Sequence, residues 1–392
     1  MNIPNRIREL EVEMTDWRHD LHAHPEIGFD EHRTGDIVAA KLAAWGIQVY
    51  RGLGGTGIVG VLRGRRSVVG GNRTIALRAD MDALPMQEAN VFAHRSQHPG
   101  CMHACGHDGH TTMLLGAAKY LSEANDFAGT VNFIFQPAEE GQGGAKAMID
   151  DGLLERFPCD AIYGIHNQPG MRLGTAQALT GTQLASIDQF TVILRGQSAH
   201  GARPHEGVDA VSIASQVVSA LNAIPSRQIS ALETAVISIG QIHGGTADNV
   251  LPETVELRGS VRTLKPAIRD LVEELFQRVV HNTAAAQGGT AEIVYRRAYP
   301  PTINSAHETG SAARAASAII GAENVMRDGN PSVAGDDIAF MLERVPGAFI
   351  FFGQAGSQRG HVPVHTTSYD FNNDLLPIGA SYFVKLIEQE LG

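Results

Sequence analysis

A chain of 392 residues with 42 acidic and 31 basic side chains carries a formal charge of −11, which leaves it without an electrostatic footprint for nucleic acid. Its length exceeds one ordinary core, so two domains or one domain with a large insertion are expected, and 43% apolar with 19% charged residues argues against disorder. Three cysteines cannot staple a chain this long, and no window approaches the roughly 18 consecutive apolar residues of a membrane span. The first residues show neither an apolar run nor a small-residue cleavage site, so a cytoplasmic protein without membrane or nucleic-acid partners is expected.

In chain order, the pattern predicts helices over 7–21 and 34–45, the second stopping at Gly46. Apolar runs bounded by glycine predict strands over 57–62, 74–79, 131–135 and 161–165, alternating with helices at 111–122 and 144–150. Buried strands alternating with helices read as an α/β sheet covered on both faces. Between 185 and 300 the character changes. A strand at 188–194, a helix at 209–224, strands at 235–242 and 254–262, a helix at 265–286 and a strand at 291–295 follow one another. That β-α-β-β-α-β order is the split βαβ pattern of a ferredoxin-like α+β domain. After Pro300-Pro301 the α/β character returns, with a strand over 347–353. The expected architecture is a discontinuous mixed-sheet α/β domain of residues 1–184 and 301–392, split by an inserted domain at 185–300.

In such sheets ligands bind beyond the carboxyl ends of the strands. Here those ends run into Asp80-Met81-Asp82, into Gln136-Pro137-Ala138-Glu139-Glu140 and into His166. Between the first two lies Cys101-Met102-His103-Ala104-Cys105-Gly106-His107. Two Cys-x-His pairs share one spacing, and spacing alone does not choose between them. No second ligand pair follows at zinc-finger range, so mixed sulfur, nitrogen and carboxylate ligands suit a catalytic metal better than a structural one. Side chains of adjacent residues in extended backbone point opposite ways, so one of Glu139 and Glu140 can ligate a metal while the other faces the water bound there.

Here the chain resembles the aminoacylase/carboxypeptidase-type di-metal amidohydrolases, in their hippurate hydrolase and auxin-conjugate hydrolase branch. The stretches that carry the resemblance are Leu21–Glu26, Arg78–Pro85, Met102–His110, Gln136–Gly141 and Tyr369–Asn372, in order along nearly the whole chain. The resemblance implies a catalytic domain with an inserted lid or dimerisation domain, and two divalent ions held by Cys105, His107, Glu140, His166 and His365, with Cys105 bridging. Zinc or manganese is the implied metal, with nickel or cobalt as further candidates. Glu139 is implied as general acid/base and His200 as the lid residue that stabilises the oxyanion. Asn249 and Arg262 are implied as holders of a substrate carboxylate, a task that suits a guanidinium. The chain departs from the family at Asp80, where a histidine is usual, and at Gly335-Asp336-Asp337-Ile338, where Ser-Glu-Asp-Phe is usual. Asp80 is left without a role.

Other signals fall away. Gly52-Leu53-Gly54-Gly55-Thr56-Gly57 fits a dinucleotide fingerprint but precedes a strand instead of following one. No Gly-Lys dipeptide or Gly-x-Ser-x-Gly elbow occurs, and His205-Glu206 and His307-Glu308 lack the second histidine of a zincin. The expected activity is therefore metal-dependent hydrolysis of the amide of an N-acyl amino acid, by a homodimer or homotetramer paired through the lid. The enzymatic alternatives are a dipeptidase or carboxypeptidase, an aminobenzoyl-glutamate hydrolase and an N-acetyl-diaminopimelate deacetylase. A non-catalytic metal- or ligand-binding protein is the alternative from another class, and the intact Glu139 and ligand positions argue against it.

Overall fold

The glycine-bounded apolar runs become the strands of one sheet in the computed structural model, which describes residues 1–66 and 73–392. Its strands are β1 (Gln48–Leu53), β2 (Gly57–Arg63), β3 (Thr74–Asp80), β4 (Thr130–Gln136), β5 (Ala161–Arg172), β6 (Ala176–Gln177), β7 (Val325–Met326) and β8 (Gly347–Ala355). They lie in the order β1-β2-β4-β3-β5-β8-β6-β7. The middle four, β4, β3, β5 and β8, run parallel, while β1, β2 and β6 pair antiparallel with their inner neighbours. This is the expected mixed sheet. Every residue of β8 is buried, as befits a parallel strand covered on both sides.

The chain divides into two compact units, one of residues 1–183, 303–330 and 337–392, the other of residues 184–302 and 331–336. In the first, the helices α1 (Glu11–Ala23), α2 (His32–Ala44) and α3 (His107–Ala124) join helices Ala306–Ile320 and Leu376–Leu391 around the sheet. Their core includes Met14, Leu77, Leu114, Phe133, Ile350 and Phe383. Three of these elements differ from the sequence pattern. The helix expected over 7–21 is two, Asn5–Glu9 and Glu11–Ala23, parted at Leu10. The helix expected over 111–122 begins four residues earlier, at His107, because Gly106 takes φ 101° and turns the chain into it. The strand expected to end at Ile165 continues to Arg172, so His166 lies inside it.

The second unit is a four-stranded antiparallel sheet in the order 235–244, 254–263, 187–195, 290–299, with helices Ala210–Arg227 and Pro266–Ala286 packed against it. Phe190, Val192 and Leu194 alternate inward from one strand to meet Val217, Leu221 and Phe276, the period of two that a half-buried strand requires. The segment 331–336 returns to this unit because the Ala185 amide is shared between the carbonyls of Ser332 and Ala334.

Candidate active site

The parallel strands of the first unit carry their polar residues to one edge. Asp80, the last residue of β3, is in register with Gln136 at the end of β4, and Arg78 pairs with Gly164, which sets His166 level with Asp80. Beyond β4 the chain turns through Ala138, whose φ of 53° is unusual for a residue with a Cβ, into Glu139 and Glu140. Gly106 folds Cys105 and His107 together. A Cβ at that position would lie 2.3 Å from Asn167 Oδ1, so only glycine fits. His365, with φ 59°, is tied by its amide to the carbonyl of Ala104, next to Cys105.

The result is two overlapping groups of donors. Cys105, His107 and His166 offer ligand atoms within 4.8 Å of one another, and so do Cys105, Glu140 and His365. Cys105 Sγ is 3.4 Å from His166 Nε2, and His365 Nε2 is 3.2 Å from Glu140 Oε1. Glu139 joins a third group with His107 and Glu140. Cys101 is elsewhere: its thiol donates to the carbonyl of Pro25, and burial pushes it up to about 11.

This donor set fits divalent cations. Buried polar atoms almost always find partners. Yet His107 Nε2 is buried without a hydrogen bond, and the nearest partner of the buried Glu140 Oε1 is His365 Nε2. Burial alone would lower the His107 imidazole, but Asp80, Cys105 and Asp82 hold it well above its ordinary value. Hydrogen bonds to Cys105 and Glu140 raise His365 to about 10. Burial, with His110 and His107 close by, lowers His166 to about 3 and keeps it neutral. The groups that raise His107 and His365 are the acidic ones that a cation would offset.

A second layer orients these groups. Asp82 accepts from His107 Nδ1 at 3.1 Å and from the Glu140 amide at 2.9 Å, which turns His107 Nε2 inward and fixes the glutamate loop. His166 Nδ1 lies 2.6 Å from the Asn167 carbonyl, turning its Nε2 toward Cys105. Both oxygens of Asp80 are engaged, one with His110 Nδ1 at 2.6 Å and one with Arg78 at 2.7 Å. Asp80 therefore holds other groups in place. Arg78 also reaches Gln136 at 2.8 Å and Asp337 at 3.1 Å, while Asp337 accepts from Gln136 and from the Ala145 amide. Asp82, Asp80, His110 and Asp337 had no roles in the sequence reading. Asp-x-Asp at a strand end was the visible signal, but which groups the two carboxylates hold is decided by the register of three strands.

His200, Asn249 and Arg262 belong to the second unit. His200 is exposed on a two-residue strand paired with Val250, beside Asn249, whose carbonyl accepts from the Gly201 amide. The Ala202 amide donates to His200 Nδ1 at 3.0 Å, so a neutral His200 carries its proton on Nε2. Arg262 lies on a different sheet of that unit, opposite Val236, and burial lowers it from its ordinary value.

Comparison with known proteins agrees with this geometry. The chain is 39% identical to the hippurate hydrolase of Campylobacter jejuni, over 98% of each protein. It is 38% identical to the N-acetyl-L-cysteine deacetylase of Bacillus subtilis, over 97% of this chain and 88% of the relative. The Bacillus subtilis YXEP protein, a dinuclear metal binding peptidase from the M20 family, superposes with a TM-score of 0.83 at 31% identity, covering 98% of this chain and 99% of its own. Residues 76–389 match the model of peptidase family M20/M25/M40. With the donor groups, the sheet order and the full-length relatives in agreement, the chain belongs to that family.

Proposed function

We propose that the protein hydrolyses the amide bond of N-acyl amino acids, hippurate-like or N-acetylated, releasing a carboxylate and a free amino acid. Metal-dependent amide hydrolysis follows from the family. The substrate class rests on the relatives that are hippurate hydrolase and N-acetyl-L-cysteine deacetylase. The observation that carries the reading is the pair of donor groups sharing Cys105, with Glu139 beside them. In this reading Cys105, His107, Glu140, His166 and His365 hold two divalent ions, zinc or manganese, with nickel or cobalt as substitutes. When bound, the ions supply Lewis acidity toward the amide carbonyl and make water more acidic.

The chain's own residues do the rest. Glu139 takes the proton from the attacking water and delivers it to the leaving nitrogen. His200 donates from Nε2 to the developing oxyanion, and Asn249 with Arg262 holds the substrate carboxylate. Residues 185–300 serve as lid and dimerisation domain of a cytoplasmic homodimer or homotetramer. Among the described residues, no helix is long and apolar enough to cross a membrane.

The test is a panel of acetyl-, benzoyl- and indole-acetyl-amino acids, with dipeptides as controls, assayed with chelator and with added zinc or manganese. Turnover of acyl-amino acids that stops with chelator and returns with metal is expected. Glu139→Gln should lower kcat by at least roughly a hundredfold with bound metal unchanged. Persistent activity in that variant would overturn the assignment of the base.

A further inference from the structure

The direction of Glu139 and Glu140 depends on one residue before them. Ala138 sits in the left-handed region at φ 53°, which a residue with a Cβ enters only when its surroundings hold it there. Were it to relax, both glutamates would swing away. Its carbonyl accepts from the Gly144 amide at 2.9 Å, and its amide donates to Glu31 Oε1 at 2.8 Å. The segment before Glu31 presses on the same spot, since a Cβ on Gly28 would lie 3.0 Å from Ala138 Cα.

Glu31 is placed oddly for this contact. It occupies the N-cap of α2, where a carboxylate ordinarily accepts from the first helical amides, yet its side chain makes no cap bond. Glu26 caps the helix in its stead, accepting from the amides of Arg33 at 2.9 Å and Thr34 at 2.8 Å. Glu31 turns away, wholly buried, with its other oxygen accepting from the Thr56 hydroxyl at 2.5 Å. Burial pushes its carboxyl up to about 7, so seating it there costs free energy that its hydrogen bonds must offset.

We propose that Glu31 is a positioning residue: its carboxyl oxygen holds the Ala138 amide and so keeps the left-handed turn that aims Glu139 and Glu140. The inference rests on the reading of Glu139 as the acid/base and of Glu140 as a metal ligand. Glu31 acts through Ala138.

Three variants test it, each assayed for kcat, KM and metal affinity by competition with a chromophoric chelator. Glu31→Ala should lower kcat roughly a hundredfold with KM little changed, and should weaken binding of one ion roughly tenfold. Glu31→Gln keeps an oxygen acceptor for the Ala138 amide and should stay within a few-fold of the parent in both readings. Adding Ala138→Gly to Glu31→Ala should recover much of the lost activity, because glycine enters the left-handed region without strain. Should Glu31→Ala not fold, Glu31→Leu refills the volume without an acceptor and takes its place. Wild-type kcat and metal affinity in the acceptor-less variant, equal losses in the Gln variant, or no recovery with glycine would each overturn the proposal. If Glu139→Gln itself stays active, the reading of Glu139 has failed, and the metal affinities still test whether Glu31 aims Glu140.

Discussion

Gly106 brings a thiol and an imidazole onto one side of a turn, and no other residue can replace it without pushing Asn167 aside. The same Cys-x-His spacing at Cys101 and His103 has Met102 in the middle and leads elsewhere. Both His103 nitrogens are buried without a hydrogen bond, and burial lowers that imidazole to about 4. The difference gives a residue-scale prediction. Cys105→Ser should lose one or both ions, measured as metal per chain by elemental analysis, whereas Cys101→Ser should keep the wild-type content. The opposite pattern would move the site to the wrong pair. The metal-capable residues were legible because their chemistry is written in their side chains. The choice between two equally spaced cysteines came from the resemblance and not from their spacing, because it depends on a backbone angle and on a loop 260 residues further along the chain that delivers His365.

At the scale of elements, the site is held by a buried chain of charges linking the end of β3 to the start of helix Ile338–Leu342. Arg78 of β3 lies between Asp80 and Asp337, all three with fully buried side chains. Removing one partner from such a set strands the others, so Asp337→Ala should cost about 3 kcal/mol or more in denaturant unfolding. Asp36→Ala, which breaks an exposed pair with Arg51, should cost under about 1 kcal/mol. Equal losses would mean that the buried network contributes no more than surface charge. The inner strands of the main sheet were legible from glycine-bounded apolar runs, whereas the mostly exposed edge strand β1 was not. Helices Ala306–Ile320 and Leu376–Leu391 went unmarked, for a physical reason. The second is wholly buried from Leu376 to Val384 and turns charged residues to solvent only from Lys385 onward, which leaves less than two turns in which a period of 3.6 can show. Asp80 and Asp337 could not be joined from sequence at all, since 257 residues separate them and Asp337, at the start of helix Ile338–Leu342, meets Asp80 only through Arg78 and Gln136.

For the whole molecule, the reading of residues 185–300 as a dimerisation domain predicts a particle of at least two chains by light scattering. A single-chain mass at working concentration would overturn it. The discontinuity of the first unit has a consequence of another kind, in time. Strand β8 pairs with β5, Gly347 against Ile162, so the entire second unit is made between the two partners. As the chain leaves the ribosome, β5 stands as an open edge of apolar sequence until residue 355 has been released, an interval in which such edges are prone to wrong pairing. The second unit, continuous from 184 to 302 apart from six residues, is free to fold during that wait. His365 emerges ten residues after the last strand closes, so in the proposed ligand set full metal occupancy comes only to a chain whose sheet has already formed.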